Sequence, residues 1–270
     1  MTEIKGVPQG YKLGAKISPP DARDYKLKTY LPEKVILPAE FSYRDKMTPV
    51  KDQGQLGSCV AFASNAVLEY IHKNDVDYVP DLSEIWLYAK CKQADGYPNE
   101  EGTDLRTACN VMQKGVCEEI YFPYIDKYPA PYAPTFGADA NANKFKLGTY
   151  AAANISELKS GLVTFSPLMT AIAIYNNFGV DEDGFMIPAE GFVSGGHAIC
   201  CVGYKDTKPA TPEKKCCIFG NKVKAAMPAE GYYEFKNSWS EYWGDKGYFK
   251  IRYSDLPKVF WEARSIVDEV

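Results

Sequence analysis

Eight cysteines and two histidines are the residues of this 270-residue chain best suited to covalent chemistry at neutral pH. Among the cysteines, Cys59 stands apart. It closes the glycine-punctuated stretch Gln53-Gly54-Gln55-Leu56-Gly57-Ser58, and the amphipathic run from Cys59 to about Asn74 predicts a helix beginning at that cysteine. A helix start leaves backbone N–H groups unpaired and carries the positive end of the macrodipole, and both favour S⁻ over SH. A thiol pKa of about 8.5 can fall to roughly 3.5–7.5 there. The position therefore predicts a lowered Cys59 pKa and a nucleophilic thiolate. A small buried hydrophobe opening a core helix fits the same residue on its own.

A thiolate nucleophile needs an imidazole partner, and the choice lies between His72 and His197. His72 lies 13 residues down the same predicted helix, roughly 20 Å away at the helical rise. His197 enters the apolar run Ala198-Ile199-Cys200-Cys201-Val202 through Gly195-Gly196. A strand there would hold the ring rigidly, and the glycines admit close backbone approach. An imidazole also needs a group to fix its tautomer. Asn237 ends the predicted strand Tyr232–Lys236 and is followed by Trp239 and Trp243. Its side-chain oxygen can accept the His N–H, under aromatic rings that exclude water.

These stretches fall into three blocks: Val50-Lys51-Asp52-Gln53-Gly54 to Cys59-Val60-Ala61-Phe62, Gly196-His197-Ala198 to Gly203-Tyr204, and Lys236-Asn237-Ser238-Trp239 to Trp243-Gly244 and Gly247-Tyr248. Together, and in this order, they resemble the signature blocks of the papain-like cysteine peptidases. The resemblance implies Cys59 as nucleophile, His197 as general acid/base, Asn237 as its orienter and Gln53 as oxyanion donor, with Trp239 shielding the Asn–His bond. It also aligns Asn99–Thr103 with the segment that pairs with an extended substrate. Gly102 is the contact there, where a Cβ would obstruct a closely approaching backbone. The expected substrate-binding residues are Gly102, Gly195 and Trp239. The implied reaction is peptide hydrolysis through a Cys59 acyl-enzyme. Acyl transfer to an amine, as in a ligase, and peptide binding without catalysis are the alternatives on the same residues.

Two departures point to a divergent, prokaryotic-like branch: Leu56 stands where many family members have a disulfide-forming cysteine, and Val60 where a tryptophan usually follows the nucleophile. With that cysteine missing and seven left beside Cys59, a reducing, cytoplasmic compartment is favoured, with secretion after loss of a leader as the alternative. Cys200 and Cys201 read as core residues, no C-x-x-C spacing occurs, and neither metal nor cofactor is expected. The net charge of −4 and the lack of a basic aromatic stripe argue against nucleic acid. No apolar run has the ~18 residues of a membrane span. The expected partner is a peptide or protein substrate.

Stepping along the chain, residues 1–37 form an arm rich in Pro, Gly and charge, with no signal-peptide pattern. The arm carries a formal +3, which leaves −7 on the rest. It is expected either to lie along the acidic body, partly covering the cleft, or to be a flexible tail. Residues 38–270 form the peptidase domain. Its fold class is α+β, two-lobed and papain-like. The helical lobe spans about 50–120, with helices from Cys59, after the Ser83 N-cap, and over Asp104–Lys114 before Gly115. The antiparallel, barrel-like β lobe spans about 150–255. It contains a short helix over Asn154–Ser160 and strands over 168–175, 196–204, 232–237 and 247–253, with 205–231 as an inserted loop or hairpin. The cleft lies between the lobes.

Overall fold

In the computed structural model the protein is described over residues 5–75, 78–208 and 230–267. The arm contributes β1 (Ala15–Lys16), and β2 (Glu40–Ser42) follows. Helices α1 (Cys59–Asp75) and α2 (Glu84–Ala94), strand β3 (Thr103–Asp104) and helices α3 (Leu105–Met112) and α4 (Ala138–Ala142) make up the helical part. The remainder is β4 (Tyr150–Ala153), α5 (Leu158–Thr164), β5 (Leu168–Tyr175), β6 (Val193–Lys208), β7 (Glu230–Lys236), β8 (Tyr248–Arg252), α6 (Leu256–Val259) and β9 (Phe260–Ile266).

Helix α1 runs through the core: Val60, Ala61, Val67 and Leu68 are all fully buried, as are the polar Ser64 and Asn65. It packs on α2, α3 and the long strand β6. Ser83 caps α2 as its side chain predicts, whereas Asp104, read as the first residue of its helix, is the N-cap of α3. Ser83 Oγ accepts the Trp86 N–H, and the Asp104 carboxylate accepts the Thr107 N–H, so α2 and α3 start one residue after each cap. Gly115, at φ +115°, ends α3; a Cβ there would lie 2.1 Å from the Ala142 carbonyl oxygen.

The sheet runs β4-β9-β5-β6-β7-β8, with β2 on the side of β6, and all these pairings are antiparallel. It exceeds the expected β lobe in three ways. Strands β2 and β4 join it, and β9, beyond residue 255, lies between β4 and β5. Strand β6 starts at Val193 and continues to Lys208, and its pairing with β7 starts at Glu230. The Cys216-Cys217 stretch lies outside the described residues. The expected helix over 154–160 is displaced: a 3-10 turn over Ile155–Glu157, opened by an Asn154–Glu157 capping box, leads into α5. The six described cysteines are free and buried.

Under the sheet–helix junction, the Lys51 ammonium lies 2.8 Å from both Glu69 and Glu84 and 2.7 Å from Asp81. The two glutamates are almost fully buried. Burial disfavours the Lys51 charge, but Glu84, Glu69 and Asp81 outweigh it and hold the cation well above its ordinary range. Removing one partner of a buried pair leaves the others uncompensated, so Lys51→Met should cost about 3–5 kcal/mol. Urea unfolding should show the loss as a lower midpoint at unchanged slope; an unchanged midpoint would contradict it.

Candidate active site

Cys59 is the first residue of α1 and is fully buried. The backbones of Ala198, Gly14, Val60 and Cys59 itself favour the thiolate. Burial outweighs them, and the thiol pKa is raised. This corrects the expectation of a lowered pKa. The helix-start donors are present, but the N-terminal arm covers the sulfur and removes the water that would solvate S⁻.

His197 lies on β6, the strand that packs on α1, next to Ala198, whose backbone favours the Cys59 thiolate. Its Nε2 is 2.7 Å from Asn237 Oδ1. The same oxygen accepts the Ser238 N–H at 2.8 Å, and an atom with two such neighbours is the amide oxygen rather than its nitrogen. Nε2 therefore carries the proton, and Nδ1 is left as the basic atom; it has no hydrogen-bond partner among the described residues. Trp239 stacks on the imidazole at 4.5 Å between ring centroids and is 1% exposed. Burial lowers the His197 pKa to about 4, against the opposing pull of the Asn237 bond. In this state thiol and imidazole are both neutral.

Gln53 is fully buried, with its carboxamide oriented by Ser238, whose Oγ donates to Oε1 at 2.8 Å. Its Nε2 donates to Leu56 O at 3.0 Å and to the carbonyl of Lys12, in the arm, at 3.1 Å. The Tyr124 hydroxyl donates to the Gln53 carbonyl at 2.7 Å and touches Ser58 Oγ. Ser238 and Tyr124 had no sequence signal beyond their nearness to named residues or to the Pro/Tyr-rich crossing segment.

The arm crosses the whole site. Lys5 bridges to Val180, and Trp243 Nε1 donates to the Gly6 carbonyl at 2.8 Å. The Tyr11 hydroxyl binds Asp52, and its ring meets the edge of Trp239. The Gly14 carbonyl accepts the Thr103 N–H at 2.9 Å, and β1 continues parallel to β3. Ser18 Oγ lies 2.9 Å from Asp104 and 2.8 Å from Glu262. Glycines make the passage possible. A Cβ on Gly102, at φ +81°, would lie 2.1 Å from the Gly14 carbonyl oxygen; on Gly195 it would lie 2.9 Å from Leu13 Cβ, and on Gly196 2.3 Å from the Ala15 carbonyl oxygen. Gly102, Gly195 and Trp239 thus all line the path of the arm. His72 is remote from this site, with its Nε2 at 3.2 Å from the Lys146 carbonyl. Among the described residues no group of three His, Cys, Asp or Glu side chains is arranged to hold a metal ion. No helix among them is long and apolar enough to cross a membrane.

A cysteine from a helical layer meeting histidine and asparagine from an antiparallel sheet is the papain-like arrangement. Residues 37–259 match the papain family of cysteine proteases, and the chain belongs to that family. It is similar to a probable cysteine protease, RD19B, of Arabidopsis thaliana (29% identity; 91% of this chain, 64% of the relative). It is also similar to the viral cathepsin of Adoxophyes honmai nucleopolyhedrovirus (29%; 87% and 60%). The chain thus spans under two thirds of both relatives. Among solved structures it resembles xylellain, a cysteine protease from Xylella fastidiosa, with TM-score 0.73 and 25% identity over 98% of both chains. Digestive procathepsin L2 of Tenebrio molitor larval midgut shares the fold at TM-score 0.66 and 22% identity, over 98% of this chain and 84% of that one.

Proposed function

We propose that the protein is a cysteine endopeptidase held closed by its own residues 1–37. Cys59 is the nucleophile and His197 the general acid/base. Asn237 fixes the His197 tautomer, and Trp239 keeps water from their bond. Gln53 Nε2 and the Cys59 N–H bind the oxyanion, while Gly102 and Gly195 admit the substrate backbone. The observation that carries the reading is that a peptide carbonyl, that of Lys12, accepts the Gln53 Nε2–H, while Gly14 is packed so closely on Gly57, two residues before Cys59, that a Cβ there would lie 1.8 Å from the Gly57 carbonyl oxygen. A main chain already lies where a substrate would.

When the arm leaves, the sulfur regains water and keeps its helix-start donors, so the proton passes to His197 Nδ1. The thiolate attacks the substrate carbonyl, and the C–N bond breaks as the imidazolium protonates the departing amine. Water, deprotonated by His197, then releases the acid and restores Cys59.

The test uses the full chain carrying Gly14→Val. A Cβ at Gly14 would lie 1.8 Å from the Gly57 carbonyl oxygen, so the substitution keeps the arm off the site. This variant should convert peptides to free acids and amines, and Cys59→Ala in the same background should not. Products joined to an added amine would favour the ligase reading, and peptide binding without cleavage the non-enzymatic one.

A further inference from the structure

The arm also reveals which side chains the cleft accepts. Lys12, Gly14 and Lys16 are alternate residues, and alternate side chains of an extended chain share a face. At the centre of this face three glycines meet: Gly14 is pressed between Gly57 and Gly102, and a Cβ on Gly14 or on Gly102 would strike backbone at about 2 Å. Nothing larger than hydrogen fits there.

On either side of this constriction the wall is acidic. The Lys12 ammonium lies 2.5 Å from the Glu101 carboxylate, and Glu101 stands beside Gly57, on the turn leading to Cys59. The Lys16 ammonium lies 2.5 Å from Glu100 and over the Tyr97 ring, 4.5 Å from its centroid. Lys16 is the better enclosed of the two lysines, its side chain 29% exposed against 54% for Lys12. A carboxylate and an aromatic face thus both meet the one ammonium of Lys16, at the surface.

We propose that Glu101, and Glu100 together with Tyr97, are specificity-determining residues that make the cleft select extended peptides of the pattern basic-x-Gly-x-basic. The proposal rests on the peptidase reading above and names its substrate class. The pattern is the same read in either direction, so it holds whichever way a substrate runs relative to the arm. Exposed ion pairs are individually weak, so this is selectivity of several-fold per position.

The experiment uses the full-length Gly14→Val protein and peptides of equal length containing Lys-Leu-Gly-Ala-Lys or Gln-Leu-Gly-Ala-Gln. Both are scored for protection of Cys59 against an epoxysuccinyl electrophile and for cleavage. The lysine peptide should protect about three- to tenfold better at low salt. That advantage should shrink at 1 M salt and vanish in Glu100→Gln/Glu101→Gln. Equal protection by the two peptides, or an advantage that survives the double substitution, would overturn the proposal. Lysine-selective protection without cleavage of any peptide would leave the specificity standing and defeat the peptidase reading instead. A second measurement needs no arm substitution. In the otherwise unaltered chain, Glu100→Gln/Glu101→Gln should speed Cys59 labelling by loosening Lys12 and Lys16, and an unchanged rate counts against the proposal.

Discussion

Replacing Gly14 with valine in the full chain should raise the rate of Cys59 alkylation at neutral pH about 10- to 100-fold. The substitution leaves the side chains of Cys59 and His197 unchanged. It acts by excluding the arm, since a Cβ at this position would meet the Gly57 carbonyl oxygen, carbon and Cα at 1.8, 2.4 and 2.7 Å, all of them backbone atoms that cannot rotate aside. A site covered 90–99% of the time reacts at about 1–10% of its intrinsic rate, which sets the expected factor. The pH profile should change as well. With the arm seated, burial raises the thiol pKa and lowers that of His197 to about 4. The thiolate is then scarce at pH 7, and labelling of the unaltered chain should climb into the alkaline range. With the arm displaced, water returns to the helix-start donors, and labelling should reach its plateau at lower pH. Seating the arm moves one proton from imidazolium to thiolate with no net uptake near neutrality. The strength of seating should therefore change little with pH there. Equal rates and superimposable profiles for the two proteins would show that the arm does not restrain Cys59.

The second large effect belongs to Gln53. In the Gly14→Val background, Gln53→Ala should lower turnover about 10²–10³-fold, the usual cost of one preorganised oxyanion donor. The fold should survive. Tyr124 bonds the Gln53 backbone carbonyl, which alanine retains, and Ser238 N–H still has Asn237 Oδ1. The structural loss is the bond from Ser238 Oγ, the bond to the Leu56 carbonyl and a small cavity, about 1–3 kcal/mol. Because Ser238 Oγ fixes the carboxamide, Ser238→Ala should give a smaller loss in the same direction. Turnover in Gln53→Ala equal to that of the parent would remove Gln53 from the mechanism.

Much of the architecture was legible because it is encoded locally. A glycine turn running into an amphipathic run marks Cys59 as a helix start, and Ser83 announces α2 by its capping chemistry. The α+β class and the cleft followed from the family resemblance. Features set by distant contacts were not legible. Strand β9, read as Phe260-Trp261-Glu262-Ala263-Arg264-Ser265-Ile266, carries charges that disguise a sheet strand. Arg264 is nonetheless 3% exposed, because Glu262 and Asp24 pair with it. The route of the arm has no periodic signal. It is set by the fit of its main chain against Gly57, Gly102 and Gly196 and of the Leu13 side chain against Gly195, residues distant in sequence. The protonation of Cys59 was misjudged for the same reason. Helix-start electrostatics can be read from the sequence, whereas the burial that overrides them is set by the packed tertiary structure around Cys59.

The most direct measurement of the central claim is mass-spectrometric mapping of an epoxysuccinyl adduct on the Gly14→Val protein at pH 7, beside the same protein carrying His197→Ala. Burial raises the thiol pKa of the other described cysteines, to about 12 for Cys117 and Cys200, so they should stay unmodified. Among the six described cysteines the predicted result is one adduct, on Cys59, largely lost without His197. An adduct spread over several of these six, or one on Cys59 that forms equally fast without His197, would contradict an activated thiol–imidazole pair.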